Sequence, residues 1–168
     1  ERANGLMRFA VQDIYREGVR RIAAGRVESG RIAAGDRVVL APSNRTATVA
    51  EILRWQAPPL TEATAGESVG LIFTESAYIE RGHILSNPNE APKAAQELSA
   101  SLFWMGRERL TPATQLTLKL LTQEVSARVA RVDAIVDPGS LESRPAEGGA
   151  VGHHEFASVA IELARPIA

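Results

Sequence analysis

Cysteine is absent from the 168 residues. That excludes disulfides, thiolate metal ligands and cysteine nucleophiles together. Aromatic residues are scarce, 5% of the chain against 45% apolar, so a core has to be assembled from Val, Ile, Leu and Ala. No apolar run approaches the ~18 residues of a membrane-spanning helix. No signal peptide precedes the first strand-like segment, and a cytoplasmic protein with no membrane partner is expected. Lysine is nearly missing: of 19 basic residues only Lys93 and Lys119 are Lys. The arginine bias reads as genome composition before it reads as phosphate binding. Excess positive charge is lacking as well, with a net charge of -1 and a pI near 6.4. Proteins that hold long stretches of phosphate backbone are usually far more basic, so nucleic acid is a poor candidate partner. Without an initiator Met, the chain is expected to be a processed or excised piece.

What is present is a succession of short strands and turns. Met7, Phe9 and Val11 alternate with Arg8, Ala10 and Gln12, the period of a half-buried strand. Residues 21–27 predict a second strand. Val38, Val39 and Leu40 form an apolar run that ends in the turn-rich Ala41-Pro42-Ser43-Asn44. Residues 46–53 are rich in β-branched side chains. Residues 69–73 and 83–85 complete a first set, whose spacing and Gly-rich turns favour a closed barrel. Residues 86–93 carry two prolines and almost no large apolar side chain, the composition of a linker. A second block follows, with strands near 98–105, 116–121, 125–136 and 157–163. Its apolar phase runs Val125, Ala127, Val129 and then slips to Val132, Ala134, Val136, which predicts a β-bulge near Ala130 and Arg131. Helical signals are confined to a turn or two within 91–98. The expected fold is all-β, two small barrels over 1–87 and 94–168 joined by a linker at 88–93.

The informative segment is Gly25-Arg26-Val27-Glu28-Ser29-Gly30-Arg31-Ile32-Ala33-Ala34-Gly35-Asp36-Arg37-Val38. Glycines at intervals of five, with apolar anchors at Val27, Ile32 and Val38, describe a strand, a tight turn, a very short strand and another tight turn. Glycine suits such turns because positive φ costs other residues ~1–2 kcal/mol. Further along, Ala65-Gly66-Glu67-Ser68-Val69-Gly70-Leu71 and Ile79-Glu80-Arg81-Gly82-His83-Ile84-Leu85 repeat the same logic. Together the three pieces resemble the second domain of translation-factor GTPases, the family of elongation factor Tu. Arg8-Phe9-Ala10-Val11-Gln12-Asp13-Ile14-Tyr15, Leu40-Ala41-Pro42-Ser43-Asn44-Arg45-Thr46 and Ala100-Ser101-Leu102-Phe103-Trp104-Met105 are similar to the branch formed by GTPase subunits of bacterial sulfate adenylyltransferase. The version that also carries an adenylylsulfate kinase is the most similar.

The resemblance implies domain-2-like and domain-3-like barrels, the second continuing past Pro166 and so incomplete here. It implies a non-catalytic segment of a nucleotidyltransferase of sulfate assimilation. GTP hydrolysis elsewhere in the parent would drive adenylylsulfate formation from ATP and sulfate. The implied partners are the chain's own GTP-binding domain and a separate catalytic subunit. The alternative reading is a pair of barrels that hold aminoacyl-tRNA in translation. No phosphate loop, no Asp-x-x-Gly and no Asn-Lys-x-Asp occurs, so no cofactor is expected here; GTP and magnesium belong to the GTP-binding domain. No catalytic or metal-ligating residue is assigned. Gly25, Gly30, Gly35, Gly66 and Gly82 are assigned as structural turn glycines. His153 and His154 are read as solvated imidazoles at a turn or strand start, since neighbours on a strand point to opposite faces. His83 is read as a turn residue without chemistry, and Trp55 and Trp104 as packing side chains.

Overall fold

The computed structural model describes residues 5–75, 78–112 and 114–168. The chain divides into two compact units. One takes the described residues up to Ala94 with Lys119–Gln123 and Ile167–Ala168; the other takes Ala95–Leu118 and Glu124–Pro166. Among the described residues the ordered elements are thirteen strands and two short 3-10 turns, so the all-β expectation holds.

The first unit contains β1 (Arg8–Glu17), β2 (Arg20–Ser29), β3 (Arg31–Ala33), β4 (Arg37–Ala41), β5 (Arg45–Leu53), β6 (Glu62–Thr64), β7 (Ser68–Phe73) and β8 (Ile84–Ser86). Six of them close into a barrel in the order β1-β2-β7-β5-β4-β8, while β3 and β6 pair as a separate two-stranded sheet. Closure leaves no free edge among the six. Phe9, Val11, Val27, Ile32, Val38, Leu40, Ile52, Leu71 and Leu85 are completely buried inside. Each fully buried side chain of this size contributes roughly 1.5–3 kcal/mol. With so few aromatics, Phe9 is the only aromatic side chain among the fully buried ones of the described residues.

Strict alternation of buried and exposed positions fails in several strands, β1 and β5 among them. In β1 not only Phe9 and Val11 but also Ala10 is buried, and β2 pairs along this stretch. There Gly25 faces Val11 in the register. A Cβ on Gly25 would lie 2.2 Å from the Ala10 carbonyl oxygen and 2.7 Å from the Phe9 ring. Gly25 is therefore no turn glycine: it stands in mid-strand, where only the missing side chain lets the two backbones approach. In β5 the register against β7 shifts between Val49 and Glu51, and Ile52 takes the inward place after Ala47 and Val49.

The second unit takes β9 (Ala95–Phe103) and β12 (Ser143–Arg144) and, apart from Lys119, Leu120, Gln123 and Ile167, the strands β10 (Gln115–Leu120), β11 (Gln123–Val136) and β13 (Phe156–Ile167). They form one five-stranded sheet in the order β10-β11-β13-β9, with β12 on β11. Val129, Val159, Leu163 and Val151 are sealed in its core. The β11–β13 register shifts between Val129 and Arg131, at the bulge the apolar phase predicts. A second shift between Val132 and Ala134 restores the original phase, so Ile135, not Ala134 or Val136, is the buried residue. The helical turn expected within 91–98 does not form there. Its place is Pro88–Glu90, a 3-10 turn whose Pro sits at the start, and residues from Ala95 onward are strand. Pro at that position loses no hydrogen bond, because the first N–H groups of a helical turn lack partners anyway.

Candidate functional site

The three sequence pieces that carry the family resemblance meet in the first barrel. Gly30 ends β2 at φ 68°, and its carbonyl accepts from Ala65 N at 3.0 Å. Gly66, at φ 98°, donates to Val27 O at 2.7 Å, and Val27 N returns a bond to Glu67 O at 2.9 Å. Glu67 then fixes its own turn: its carboxylate accepts from Thr64 N at 2.7 Å and from Arg54 at 2.6 Å. Those bonds, the Thr64 amide first, hold the Glu67 carboxyl below its ordinary pKa. Gly35 turns at φ 94° and Gly82 at φ 93°, where Gly82 N donates to Val11 O at 3.0 Å. These hydrogen bonds hold the turns together.

An open cleft of about 260 Å³ lies at the β1–β2 hairpin, with Ile14, Ala23, Ile72 and Phe73 as apolar lining and Arg20, Arg21 and Glu75 as charged lining. Arg20 pairs with Glu51, and Arg21 donates to the Ile79 carbonyl at 3.2 Å. Glu75 accepts from Thr48 N at 2.8 Å and from Thr48 Oγ1 at 3.0 Å. The Thr48 amide is the main reason its pKa falls to about 2. Among the described residues the cleft brings no nucleophile and general base together. At the hairpin tip Gly18 has φ 60° and Val19 is fully exposed. His83 is half-buried, and burial pushes its pKa down against the opposing pull of Glu80.

Trp55 is 88% exposed in the loop after β5, contrary to the packing role expected for it. Trp104 is half-buried: its indole N–H donates to Glu108 O at 2.7 Å, and its ring lies over Gly106. His153 and His154 do sit in a turn, but their rings do not diverge. His154 adopts φ 62°, which folds the chain back and stacks the two imidazoles with centroids 3.6 Å apart. Strand geometry therefore does not apply to them. Among the described residues no group of three or more His, Asp or Glu side chains is arranged to hold a metal ion. Among the described residues no helix is long and apolar enough to cross a membrane, which says nothing of strands that might.

Residues 20–86 match the family described as elongation factor Tu domain 2. The chain is 33% identical over 164 residues to sulfate adenylyltransferase subunit 1 of Shewanella oneidensis, a match covering 95% of this chain and 34% of that protein. It is 32% identical over 145 residues to the subunit of the same name in Methylorubrum extorquens strain PA1, across 86% of this chain and 30% of the relative. The chain thus spans about a third of the length of the curated relatives it matches. The crystal structure of sup35 complexed with GDP superposes with a TM-score of 0.88 at 16% identity, covering 99% of this chain and 41% of that one. That likeness speaks for the fold. The turn glycines, the closed first barrel and the two kinds of similarity agree: residues 20–86 belong to the elongation factor Tu domain 2 family, within a chain whose relatives are sulfate adenylyltransferase subunits 1.

Proposed function

We propose that the chain is the pair of non-catalytic β domains of a sulfate adenylyltransferase GTPase subunit. In this reading it couples the nucleotide state of a GTP-binding domain elsewhere in the parent to the catalytic subunit that makes adenylylsulfate. One observation carries the proposal: 33% identity sustained over 95% of the chain to a protein named sulfate adenylyltransferase subunit 1. The residues themselves support a binding role. The three motif pieces are spent on turns, and among the described residues neither cleft nor turn assembles an acid, base and nucleophile. The near-neutral charge offers little long-range pull on a polyanion.

Binding of the chain to the catalytic subunit and to charged tRNA, measured side by side at physiological salt, tests this. Association with the subunit and none with tRNA is expected. Tight tRNA binding without subunit binding overturns the proposal in favour of aminoacyl-tRNA-holding barrels. Titration with GTP and magnesium is expected to be flat, since these 168 residues contain no phosphate loop; micromolar binding contradicts the assignment of nucleotide binding to another domain.

A further inference from the structure

The second unit exposes aromatic rings that the fold holds in place. At the end of β9, Trp104 N donates to Glu155 O at 2.9 Å and His154 N donates back to Trp104 O at 2.8 Å. His153 Nδ1 lies 2.9 Å from Gly106 O. This clasp stacks His153 on His154, sets His154 nearly parallel to Phe103 at 5.8 Å, and places Phe103 4.7 Å from Phe156. Phe103 stays 43% exposed and Phe156 38%. Two of the four phenylalanines of an aromatic-poor chain thus stand in solvent, although core positions are where such side chains contribute most.

Beside the rings is an open cleft of about 440 Å³ whose lining includes Phe156, His154, Asp137, Glu142, Arg144 and Glu155. Three carboxylates face one guanidinium. Arg144 is taken by Glu155. Asp137 is spent on its loop, accepting from Ser140 N at 2.8 Å and Gly139 N at 2.9 Å, which lowers its pKa. The Glu142 carboxylate makes no hydrogen bond or ion pair among the described residues.

We propose that this cleft docks an arginine side chain of a protein partner, its guanidinium against the Phe156 ring and its charge toward Glu142. Arginine fits better than lysine because its guanidinium is planar, weakly hydrated and stacks on aromatic faces. A single-stranded nucleic acid would find rings to stack on, but its phosphates would face an excess of carboxylates. The site stands on this unit alone and does not depend on which reaction the parent protein performs.

The test is a titration of the full chain, carrying isotope-labelled Phe and His, with acetyl-Gly-Arg-Gly-amide, the same peptide with Lys, and an oligouridylate. Saturable shifts at Phe103, Phe156 and His154 are expected from the arginine peptide, weakening as salt is raised. Glu142→Gln removes an exposed charge without touching the fold, and Phe156→Leu keeps bulk. Each is expected to weaken binding about two- to fivefold, the range of exposed ion pairs and cation–π contacts. Absence of saturable shifts overturns the proposal. So does an equal response to the lysine peptide, an unchanged affinity in Glu142→Gln, or stronger binding of the oligouridylate at the same resonances.

Discussion

Gly30→Ala is expected to destabilise the first barrel far more than Gly35→Ala, although both glycines turn the chain at positive φ. At Gly30, φ is 68°, and an alanine there bears ~1–2 kcal/mol of left-handed strain. A Cβ would also lie 2.7 Å from the Gly5 carbonyl oxygen, 2.8 Å from Met7 Cα and 2.9 Å from Met7 N. All three are backbone atoms that cannot swing aside, and overpacking of this kind costs typically ~1–3 kcal/mol. Loss of unfolded-state entropy returns ~0.4–1 kcal/mol. The net loss at Gly30 is thus about 2–4 kcal/mol, a large part of the ~5–15 kcal/mol that holds a domain together. At Gly35, φ is 94° but nothing lies within 4 Å of the added carbon, so only strain less entropy is left, about 1 kcal/mol. Urea unfolding of the three proteins measures the difference, with the Val11 and Val27 amide signals reporting the first unit. Equal losses at the two sites would refute the overlap argument, whatever their size.

Gly25→Ala is expected to cost about 3 kcal/mol or more, and Phe9→Leu is expected not to rescue it. The decisive overlap is with the Ala10 carbonyl oxygen at 2.2 Å rather than with the ring, so recovery of stability in the double variant on thermal unfolding would locate the conflict wrongly. Glu75, with a pKa lowered to about 2 from 4.5, adds stability that is present above its ordinary pKa and is lost as pH falls from about 4.5 toward 2. Acid unfolding of Glu75→Gln should therefore be less pH-dependent in that window, and a carboxyl titration midpoint near 4.5 in the folded chain would contradict the bonds to Thr48. Limited trypsin digestion should cut first after the exposed Lys93, in the segment proposed as the linker at 88–93; a first cut at Arg26, Arg31 or Arg37 would count against that division.

Sequence reasoning found the barrel strands wherever turn chemistry bounded an apolar run. The 25–38 segment is the best case, because each of its elements is too short to be anything but a strand between glycine turns. The bulge at Val129 and Arg131 was legible because it moves the apolar phase by one residue. Its companion at Val132 and Ala134 was not, since Ala134 and Val136 are as apolar as Ile135 and the phase alone cannot choose among them. Gly25 was misplaced for a similar reason. Periodicity reports where glycines fall but not whether another backbone passes 2.2 Å away. The stacked imidazoles escaped notice because their geometry depends on a left-handed His154, a conformation that the residue type permits without announcing it.

The closed barrel has a seam, and the seam has a kinetic consequence. Strands β1 and β2 are joined by a two-residue connection and nine register pairs from Arg8 to Glu17, so that hairpin needs only local diffusion to form. The ring closes through just two pairs of β1 with β8, Phe9 with Leu85 and Ala10 with Ile84. Joining ends so distant in sequence has a larger loop entropy to overcome before any contact rewards it. The hairpin should therefore be structured early in folding and the seam late. Conservative substitutions at Leu85 would then chiefly speed unfolding, while those at Ile22, in the hairpin, would slow folding. A slowed folding rate at Leu85 with none at Ile22 would reverse that order.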